Sequence, residues 1–558
     1  MKAKLVLVLI FLISLSACKL SPFAKYYLPT GKNDLPKFKK KDFVKGTNSS
    51  LRACFDLKYY DWTIEPNAKN KSLVGIMKIG FTAVQNQDSI MLDMEKSLKV
   101  DSIFSSKKIV KWTRKGNFLY LIFEENLVVN QNENIEIYYH GKPKNIMKQG
   151  PIQWRKDANG KDWICTQTQG IGPEYMMPCK SPLIDEPDSC FIRVKTTNNL
   201  IGVANGKLDS ISANGDTKTY HWSVKNPINI YNISFNIGDY ISFQKIYTDV
   251  NLKKWPITVY TPRYYEEKAK ELYDVVPKFM AYFEQTFGTF PWWNDGCKFV
   301  ESTLQPGSGM EHQSAISMGF TKNVPTDVSR YILAHELAHE WWGNSITGAD
   351  YADAWLHEGF AELCAALAME SVYGKEVYQK LMAHFIGGTD NKRPVLKTAN
   401  VNYNSWLHHH DGDIYGKGAL LLNTLRNQLN NDTLFFGTLK SFYQKHQKSN
   451  VSTQQFIDFF NASTKQDFSV LFNLYLKQTK VPTLEFKTFI DGDNQVIIYN
   501  WDKETDTSVN LKVEVICGDK KYSITPSKEK KAIEINNIIS PITFNRIYNP
   551  YINFKKLK

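Results

Sequence analysis

Several features are missing from this chain of 558 residues, and each absence removes a class of protein. Only the extreme N-terminus has a long apolar run, which excludes a polytopic membrane protein. No solenoid-type repeat is apparent, and no C-x-x-C pair occurs, so a repeat array and a cysteine-based zinc site are disfavoured. Hydrophobic residues make up 42% and charged residues 22%, which excludes a disordered or fibrous chain.

The chain carries an excess of positive charge, with 69 Lys and Arg against 56 Asp and Glu and a net charge of +13. Such an excess can suit nucleic acid or an anionic membrane surface. The lysines are spread along the chain, with no recognisable nucleic-acid-binding module around them. We therefore expect a solvated basic surface and no nucleic-acid partner.

The first 18 residues contain the three parts of an export signal. Lys2 and Lys4 are followed by an apolar segment, residues 5–13, and then by Leu15-Ser16-Ala17-Cys18. The cysteine after small residues resembles a bacterial lipobox, which implies cleavage before Cys18 and lipidation of that residue. An ordinary signal peptide with a chance cysteine is the alternative. We expect a lipid-anchored protein of the bacterial cell envelope, on the periplasmic or cell-surface side of a membrane.

Seven cysteines remain after Cys18. Export permits disulfides, but an odd number leaves at least one thiol free, and the pairing cannot be deduced from sequence.

Patterning predicts a multidomain α+β fold. Short β-branched and aromatic runs between turn residues indicate an all-β N-terminal domain, and longer helical periodicity follows, including one helix from Glu266 to Phe287. Strand patterns return after Val481-Pro482. The predicted units are a signal peptide (1–18), a tether (19–50), a β domain (51–250), a mainly helical domain (251–484) and a small C-terminal β domain (485–558).

The centre of the chain carries a metal-binding motif on a predicted helix. Residues His335 to His339 read H-E-x-x-H, between a helix-start signal at Pro325 and a stop at Gly343. Histidines four positions apart lie on one helix face, where two neutral imidazoles can bind one Zn²⁺. Glu336 can then act as general base toward a water molecule that the metal activates. An ordinary amphipathic helix can also carry this motif by chance.

A hydrolytic zinc site needs a third protein ligand, and Glu358 is the candidate. It lies 19 positions after His339, where a second apolar-periodic helix begins. A turn and a return to a neighbouring helix would bring it to the two histidines of the motif. Glu362 lies one turn further on the same face, where it either orients a ligand imidazole or is simply solvated.

The combined pattern consists of H-E-x-x-H, 18 intervening residues and then a Glu within W-L-x-E-G-F-A. This pattern resembles the gluzincin zinc aminopeptidases, the family of aminopeptidase N, membrane alanyl aminopeptidase and leukotriene-A hydrolase. The resemblance implies a thermolysin-like catalytic domain and one Zn²⁺ per chain, held by His335, His339 and Glu358. It also implies removal of N-terminal residues from peptides with a free N-terminus. The family's large C-terminal helical domain has no counterpart in the pattern here.

A second stretch, Pro306 to His312, resembles the family's G-x-M-E-N motif. The resemblance implies that Glu311 binds the free α-amino group of the peptide and that the backbone of Gly309 lines the substrate. His312 stands where the family has Asn, so we transfer no role to it and interpret it as a packing residue or one that supports the site.

Two more stretches agree with the family. Asp413 to Ala419 resembles its Y-x-K-G segment, which implies that Tyr415 donates its hydroxyl to the tetrahedral oxyanion. Thr166 to Gln169 resembles a substrate-binding stretch, which implies that Gln169 helps to hold the substrate N-terminus. His408-His409-His410 is interpreted as a polar loop rather than a metal site.

Three functions stay open at this stage. The leading one is a lipid-anchored zinc aminopeptidase. The same zinc site could serve an endopeptidase or an epoxide hydrolase, and the scaffold could also be a catalytically silent binding protein. The presence of Glu336, Tyr415 and all three metal ligands argues against the silent protein.

Overall fold

A computed structural model describes residues 40–146, 150–197, 199–397, 399, 412–506, 508–536 and 540–558. The predicted signal peptide with Cys18, most of the predicted tether and His408 to His410 lie outside these ranges. In the described ranges, no helix has both the length and the apolar character needed to cross a membrane.

The end of the predicted tether is folded. Helix α1 (Lys40–Gly46) buries Lys45 in an ion pair with Glu174. A few residues later, Arg52 is fully buried and pairs with Asp93. The first ion pair therefore holds the end of the predicted tether against the β domain, and the second holds the start of the predicted β domain itself. Composition alone could not show this, because a lysine-rich segment without its partners reads as solvated.

The N-terminal β domain is built mainly on two sheets. The larger sheet has the order β12-β13-β10-β1-β2-β7-β4, in which only the β1–β10 pair is parallel, and the second has the order β11-β14-β9-β8. A third sheet, β3-β6-β5, completes the domain. The strands are β1 (Phe55–Asn67), β2 (Ser72–Ala83), β3 (Gln87–Asp93), β4 (Leu98–Ser105), β5 (Ile109–Lys115), β6 (Phe118–Leu127), β7 (Asn132–Gly141), β8 (Ile152–Lys156), β9 (Asp162–Thr166), β10 (Ser189–Thr197), β11 (Ile201–Ala204), β12 (Lys207–Asn214), β13 (Thr217–Val224) and β14 (Phe235–Gly238).

Alternation along the strands places the core of this domain. In β1, Tyr60, Trp62 and Ile64 are buried on one face, as expected when one side of a sheet is packed. The register shifts at a bulge between Leu57 and Tyr59, which keeps Leu57 on the buried face as well.

The central part combines one sheet with most of the helices. The sheet has the order β15-β16-β17-β19-β18, so β15, predicted in the N-terminal domain, pairs here through its hairpin with β16. A further pair, β20-β21, is parallel. The strands are β15 (Tyr240–Thr248), β16 (Lys254–Pro262), β17 (Cys297–Ser302), β18 (Gly309–Met310), β19 (Ala315–Gly319), β20 (Ile346–Gly348) and β21 (Ser449–Val451). The helices, after α1 and α2 (Ser50–Ala53), are α3 (Glu266–Leu272), α4 (Val276–Phe287), α5 (Thr326–Ala338), α6 (Trp355–Tyr373), α7 (Lys375–Gly388), α8 (Gly416–Leu429), α9 (Asp432–His446), α10 (Thr453–Thr464) and α11 (Ser469–Leu476).

The single helix predicted from Glu266 to Phe287 is wrong. A 3-10 turn, Tyr273–Val275, separates α3 from α4. Pro277 has no N–H with which to continue an α-helical ladder back to Tyr273, so the chain tightens there and restarts.

The C-terminal part is β, as predicted, with sheets ordered β26-β23-β22-β28 and β25-β24-β27. Most of its buried side chains belong to the same hydrophobic core as the helices, so the C-terminal sheets pack against the helical part. The strands are β22 (Thr483–Asp491), β23 (Asn494–Trp501), β24 (Val513–Cys517), β25 (Lys520–Ile524), β26 (Lys531–Ile535), β27 (Ile542–Phe544) and β28 (Asn553–Lys556).

The fold-class prediction is confirmed: a β-rich N-terminal domain, a helical catalytic region and C-terminal sheets. The seven described cysteines are all free and buried, so within the described chain no disulfide holds this arrangement together.

Candidate active site

Two neighbouring helices bring the three predicted metal ligands together. His335 lies in the last turn of α5 and His339 caps it, while Glu358 lies in the first turn of α6. The Nε2 atoms of the two histidines are 3.0 Å apart, and Oε2 of Glu358 lies 3.5 Å and 3.3 Å from them. All three side chains are buried. The positive N-terminal end of α6 also favours a carboxylate at this position.

These distances fit one tetrahedral ion. Ligand atoms about 2.0–2.2 Å from a zinc ion stand roughly 3.3 Å from one another. Nδ1 of His339 donates to the backbone oxygen of Trp342 over 2.9 Å, so its Nε2 is the nitrogen left to coordinate. Two imidazoles and a carboxylate with an open side form the donor set of a hydrolytic zinc site.

The charges around the site favour a cation at its centre. Burial lowers the pKa of His339, but Glu311, Glu358 and Glu336 outweigh burial and raise it to about 10. Burial would raise the pKa of Glu358, yet His339 and His335 hold it well below its usual range. The pocket therefore stabilises positive charge where a divalent ion would sit.

Glu362 lies beside the site rather than facing solvent. Its Oε1 lies 3.8 Å from Nδ1 of His335, too far for a hydrogen bond but adjacent, and its side chain is only 13% exposed. Burial raises the pKa of Glu362 to about 8. The solvated alternative from the sequence is therefore wrong, since burial places this carboxyl beside a ligand imidazole.

Glu336 points into the site without a hydrogen bond to the described protein at Oε2. Burial, together with Glu311 and Glu358, raises its pKa well above the usual value, against the opposing effect of His339. Gly309 on edge strand β18 lies directly against this side chain, since a Cβ there would overlap its carboxylate. A buried carboxyl group is thus held close to the three candidate metal ligands.

The predicted amine anchor and its helper also meet. Nε2 of Gln169 donates to Oε1 of Glu311 over 2.8 Å and lies 3.4 Å from Oε1 of Glu358. Glu311 is buried, which raises its pKa to about 7. Its backbone oxygen accepts a hydrogen bond from Asn344, so main chain and side chain are both fixed.

Two residues of this cluster were missed by the sequence analysis. The hydroxyl of Tyr231 donates to Oε1 of Glu311 over 3.0 Å, and Nδ1 of His357 lies 3.3 Å from that hydroxyl. His357 had a signal, because it directly precedes Glu358 in the W-L-x-E-G motif. Tyr231 had no such signal in the sequence, because it lies in a short turn, Ile230–Asn232, far from any motif.

His312 is buried and contacts the neighbouring strand. Its Nδ1 lies 2.9 Å from Oγ of Ser317 on the neighbouring strand β19, and burial lowers its pKa to about 3.

Tyr415 lies immediately before α8, with its ring centroid 6.3 Å from that of His335 and nearly parallel to it. Two glycines allow this position: a Cβ on Gly359 would lie 2.8 Å from the Cα of Gly418, where α6 and α8 touch. Lys417 donates to the backbone oxygen of Gln478 over 2.9 Å, so it braces the turn from below.

Comparison with known proteins supports the architecture. A model of the peptidase family M1 domain matches residues 273–475, and one of the peptidase M1 N-terminal domain matches residues 57–231. An M1 zinc metallopeptidase from Deinococcus radiodurans, solved bound to a Tyr-Ser-Ala substrate, has the same fold: its TM-score is 0.65 at 19% identity, over 77% of this chain and 96% of that one.

The curated relatives that this chain matches are longer proteins. Probable aminopeptidase 1 of Sulfurisphaera tokodaii is 23% identical over 80% of this chain and 57% of its own length. Aminopeptidase N of Lactobacillus helveticus is 21% identical over 78% of this chain and 52% of its own. The chain thus spans about half the length of the curated relatives it matches. Since both M1 domain models match in their expected order around this site, the chain belongs to the peptidase M1 family, the gluzincin aminopeptidase family that its motifs predicted.

Proposed function

We propose that this protein is a zinc aminopeptidase that removes N-terminal residues from peptides with a free α-amino group. One observation carries the proposal: the carboxylate of Glu311, with Gln169, lies beside the cluster of His335, His339 and Glu358. An anchor for an ammonium group beside a hydrolytic metal site places the first peptide bond at the metal and the chain end at the anchor.

One Zn²⁺ per chain, held by His335, His339 and Glu358, would supply a Lewis acid for the scissile carbonyl and would activate the attacking water. Glu336 takes the proton from that water and later gives one to the leaving amine. Its buried carboxyl has no hydrogen bond to the described protein at Oε2, which leaves that oxygen to accept a proton and hold it between the two steps.

Tyr415 supplies the hydrogen bond to the oxyanion. A phenol is a neutral hydrogen-bond donor at pH 7. Its hydrogen bond to the carbonyl oxygen is therefore modest while that oxygen is uncharged, and it strengthens as negative charge develops. Its ring lies beside that of His335, which is consistent with a hydroxyl directed at the reacting carbonyl.

Selectivity for a free N-terminus follows from the burial of Glu311. A substrate ammonium makes a charge-assisted hydrogen bond with this carboxylate, whereas a blocked N-terminus leaves it buried beside a group that cannot donate in the same way. The same physics argues against an endopeptidase, whose substrates have no charged group at this point.

A panel of aminoacyl reporter substrates, each paired with its N-acetylated form, tests the proposal together with zinc content by elemental analysis. We expect one zinc per chain and cleavage of the free forms only. Equal cleavage of acetylated forms would favour the endopeptidase alternative, and turnover of an epoxide instead would favour an epoxide hydrolase. No metal and no hydrolysis would favour a binding protein.

We also propose that the mature protein is anchored to a membrane of the bacterial cell envelope through lipid on Cys18. Support comes from the sequence alone: a basic start, a short apolar segment and small residues before the cysteine. Mass spectrometry of the mature N-terminus tests this proposal. A diacylated or triacylated Cys18 is expected, and an unmodified N-terminus elsewhere would refute it.

A further inference from the structure

A chain of hydrogen bonds runs from the backbone of β20 to Glu311. The backbone N–H of Gly348 donates to Nε2 of His357 over 2.6 Å. Nδ1 of His357 lies 3.3 Å from the hydroxyl of Tyr231, which donates to Oε1 of Glu311 over 3.0 Å. These hydrogen bonds, here called the relay, link the backbone of Gly348 through His357 and Tyr231 to the side chain proposed to hold the substrate.

The direction of each bond follows from the first one. Since Nε2 of His357 accepts a backbone N–H, it carries no proton, and a neutral imidazole then has its proton on Nδ1. Nδ1 must donate to the oxygen of Tyr231, and the single hydroxyl proton of Tyr231 goes on to Glu311. Every proton in the relay thus points toward the carboxylate.

The relay is rigid. Tyr231 and His357 are 1% and 4% exposed, and their rings stack with centroids 6.5 Å apart and an interplanar angle of 27°. A Cβ on Gly348 would lie 3.2 Å from Nε2 of His357, so the backbone approaches this ring as closely as a glycine permits. Neither side chain can turn away without leaving a buried polar atom unpaired.

Both neutral donors reach the same oxygen of Glu311. Tyr231 and Gln169 each contact Oε1, so together they fix the orientation of the carboxylate.

We propose that Tyr231 and His357 are positioning residues that orient Glu311 to receive the ammonium group of the substrate. The inference rests on the proposed function, in which Glu311 is the amine anchor. It assigns to the residue before the zinc-binding Glu358 a part in choosing substrates with a free N-terminus.

The experiment is a double-mutant cycle on the zinc-loaded enzyme, with the best free aminoacyl reporter as substrate. Tyr231→Phe keeps the stacked ring and removes only the donor. We expect its KM to rise about tenfold while kcat stays within about twofold, the size of one hydrogen bond to a charged group. Tyr231→Phe added to Glu311→Gln should cause no further rise, because the relay would then have no carboxylate to orient.

Tyr240→Phe is the matched control. Tyr240 is as buried as Tyr231 and its hydroxyl also donates one hydrogen bond, but to the backbone oxygen of Glu301 rather than to Glu311. The KM of the Tyr240→Phe variant should equal that of wild type. His357→Leu provides a second test of the relay, with zinc content measured because Glu358 is adjacent, and should raise KM in the same direction as Tyr231→Phe.

The outcomes separate the relay from the proposed function. An unchanged KM in Tyr231→Phe, or effects that add fully in the double variant, would overturn the relay while leaving the amine anchor intact. If Glu311→Gln itself keeps the preference for free over acetylated reporters, Glu311 is not the amine anchor and the relay fails with it. The proposed aminopeptidase fails only if the wild-type enzyme cleaves the free and acetylated reporters equally.

Discussion

The Cα of Gly309 lies against the carboxylate of Glu336, with no room between them for a methyl group. Gly309 belongs to the edge strand β18 and Glu336 to helix α5, so this contact sets how closely the sheet edge approaches the metal ligands. The motif resemblance implied that this glycine lines the substrate. The contact adds a second reason for glycine, which is to leave space for the proposed general base.

Gly309→Ala should therefore act on catalysis rather than on metal binding. The added methyl must displace either Glu336 or strand β18, and a displacement of about 1 Å can lower kcat roughly a hundredfold. Overpacking should also cost about 1–3 kcal/mol in the free energy of unfolding. Steady-state kinetics, zinc content and denaturant unfolding of the variant check these expectations.

Gly437→Ala serves as the control for that substitution. Gly437 lies within α9 and a Cβ there meets nothing within 4 Å, so this variant should keep full activity and gain up to about 1 kcal/mol of stability. Full activity in Gly309→Ala would show that the two groups have more freedom than the structure indicates.

Glu336→Gln removes the proposed proton acceptor with little change in shape. Because Glu336 is not one of the three metal ligands, zinc content should stay at the wild-type value. Turnover should fall by roughly 10²- to 10⁴-fold, the usual contribution of general acid–base catalysis. A variant that loses its zinc, or one that keeps full kcat, would contradict the assigned role.

The sequence was sufficient to predict which three candidate metal ligands come together because a helix has a fixed period. His335 and His339 had to share a face, and Glu358 had only to return on the next helix. The contact between Gln169 and Glu311 required a family resemblance, since 142 positions separate the two residues. No local pattern encodes such a distance.

Other parts of the site could not be predicted, for a related reason. Tyr231 lies in a short turn with no motif, and its role exists only because the N-terminal domain packs on the catalytic one. The folded end of the tether depends in the same way on the ion pair of Lys45 with Glu174, which is distant in sequence. These features depend on tertiary contacts, which the amino-acid composition does not reveal.

Tyr415→Phe tests the oxyanion donor. The phenyl ring retains the packing beside His335, so substrate affinity should change little. Loss of the hydroxyl should lower kcat by about 10²- to 10³-fold, as for removal of one oxyanion donor. Comparison of kcat with KM for one free aminoacyl reporter is the measurement. A rise in KM alone would instead assign Tyr415 to substrate binding.

Removal of the metal should affect stability as well as activity. Without a cation, the buried carboxylates of Glu311, Glu336 and Glu358 lose the charge that compensates them. A chelator should abolish hydrolysis and lower Tm, and added Zn²⁺ should restore both. The test is a thermal melt with and without chelator, repeated on Glu358→Gln. Glu358→Gln should already melt near the chelated value, and an unchanged wild-type Tm would mean that the cluster does not depend on a cation.

Glu301 should make stability depend on pH away from the metal site. It is fully buried, and although Thr321 and the hydroxyl of Tyr273 donate to it, burial raises its pKa to about 7. A carboxyl whose pKa is higher in the folded than in the unfolded state contributes its full stabilisation at pH values below its unfolded-state pKa. That contribution is lost as the pH rises from about 4.5 through 7, and amounts to on the order of 3 kcal/mol.

Denaturant unfolding of wild type and Glu301→Gln at pH 5 and pH 8 measures this effect. Other groups titrate in the same range, so the informative quantity is the difference between the two proteins at each pH. Wild type should lose more stability than Glu301→Gln between pH 5 and pH 8, because only wild type must ionise a buried acid. Equal losses would mean that the three hydrogen bonds from Tyr273 and Thr321 keep Glu301 charged despite its burial.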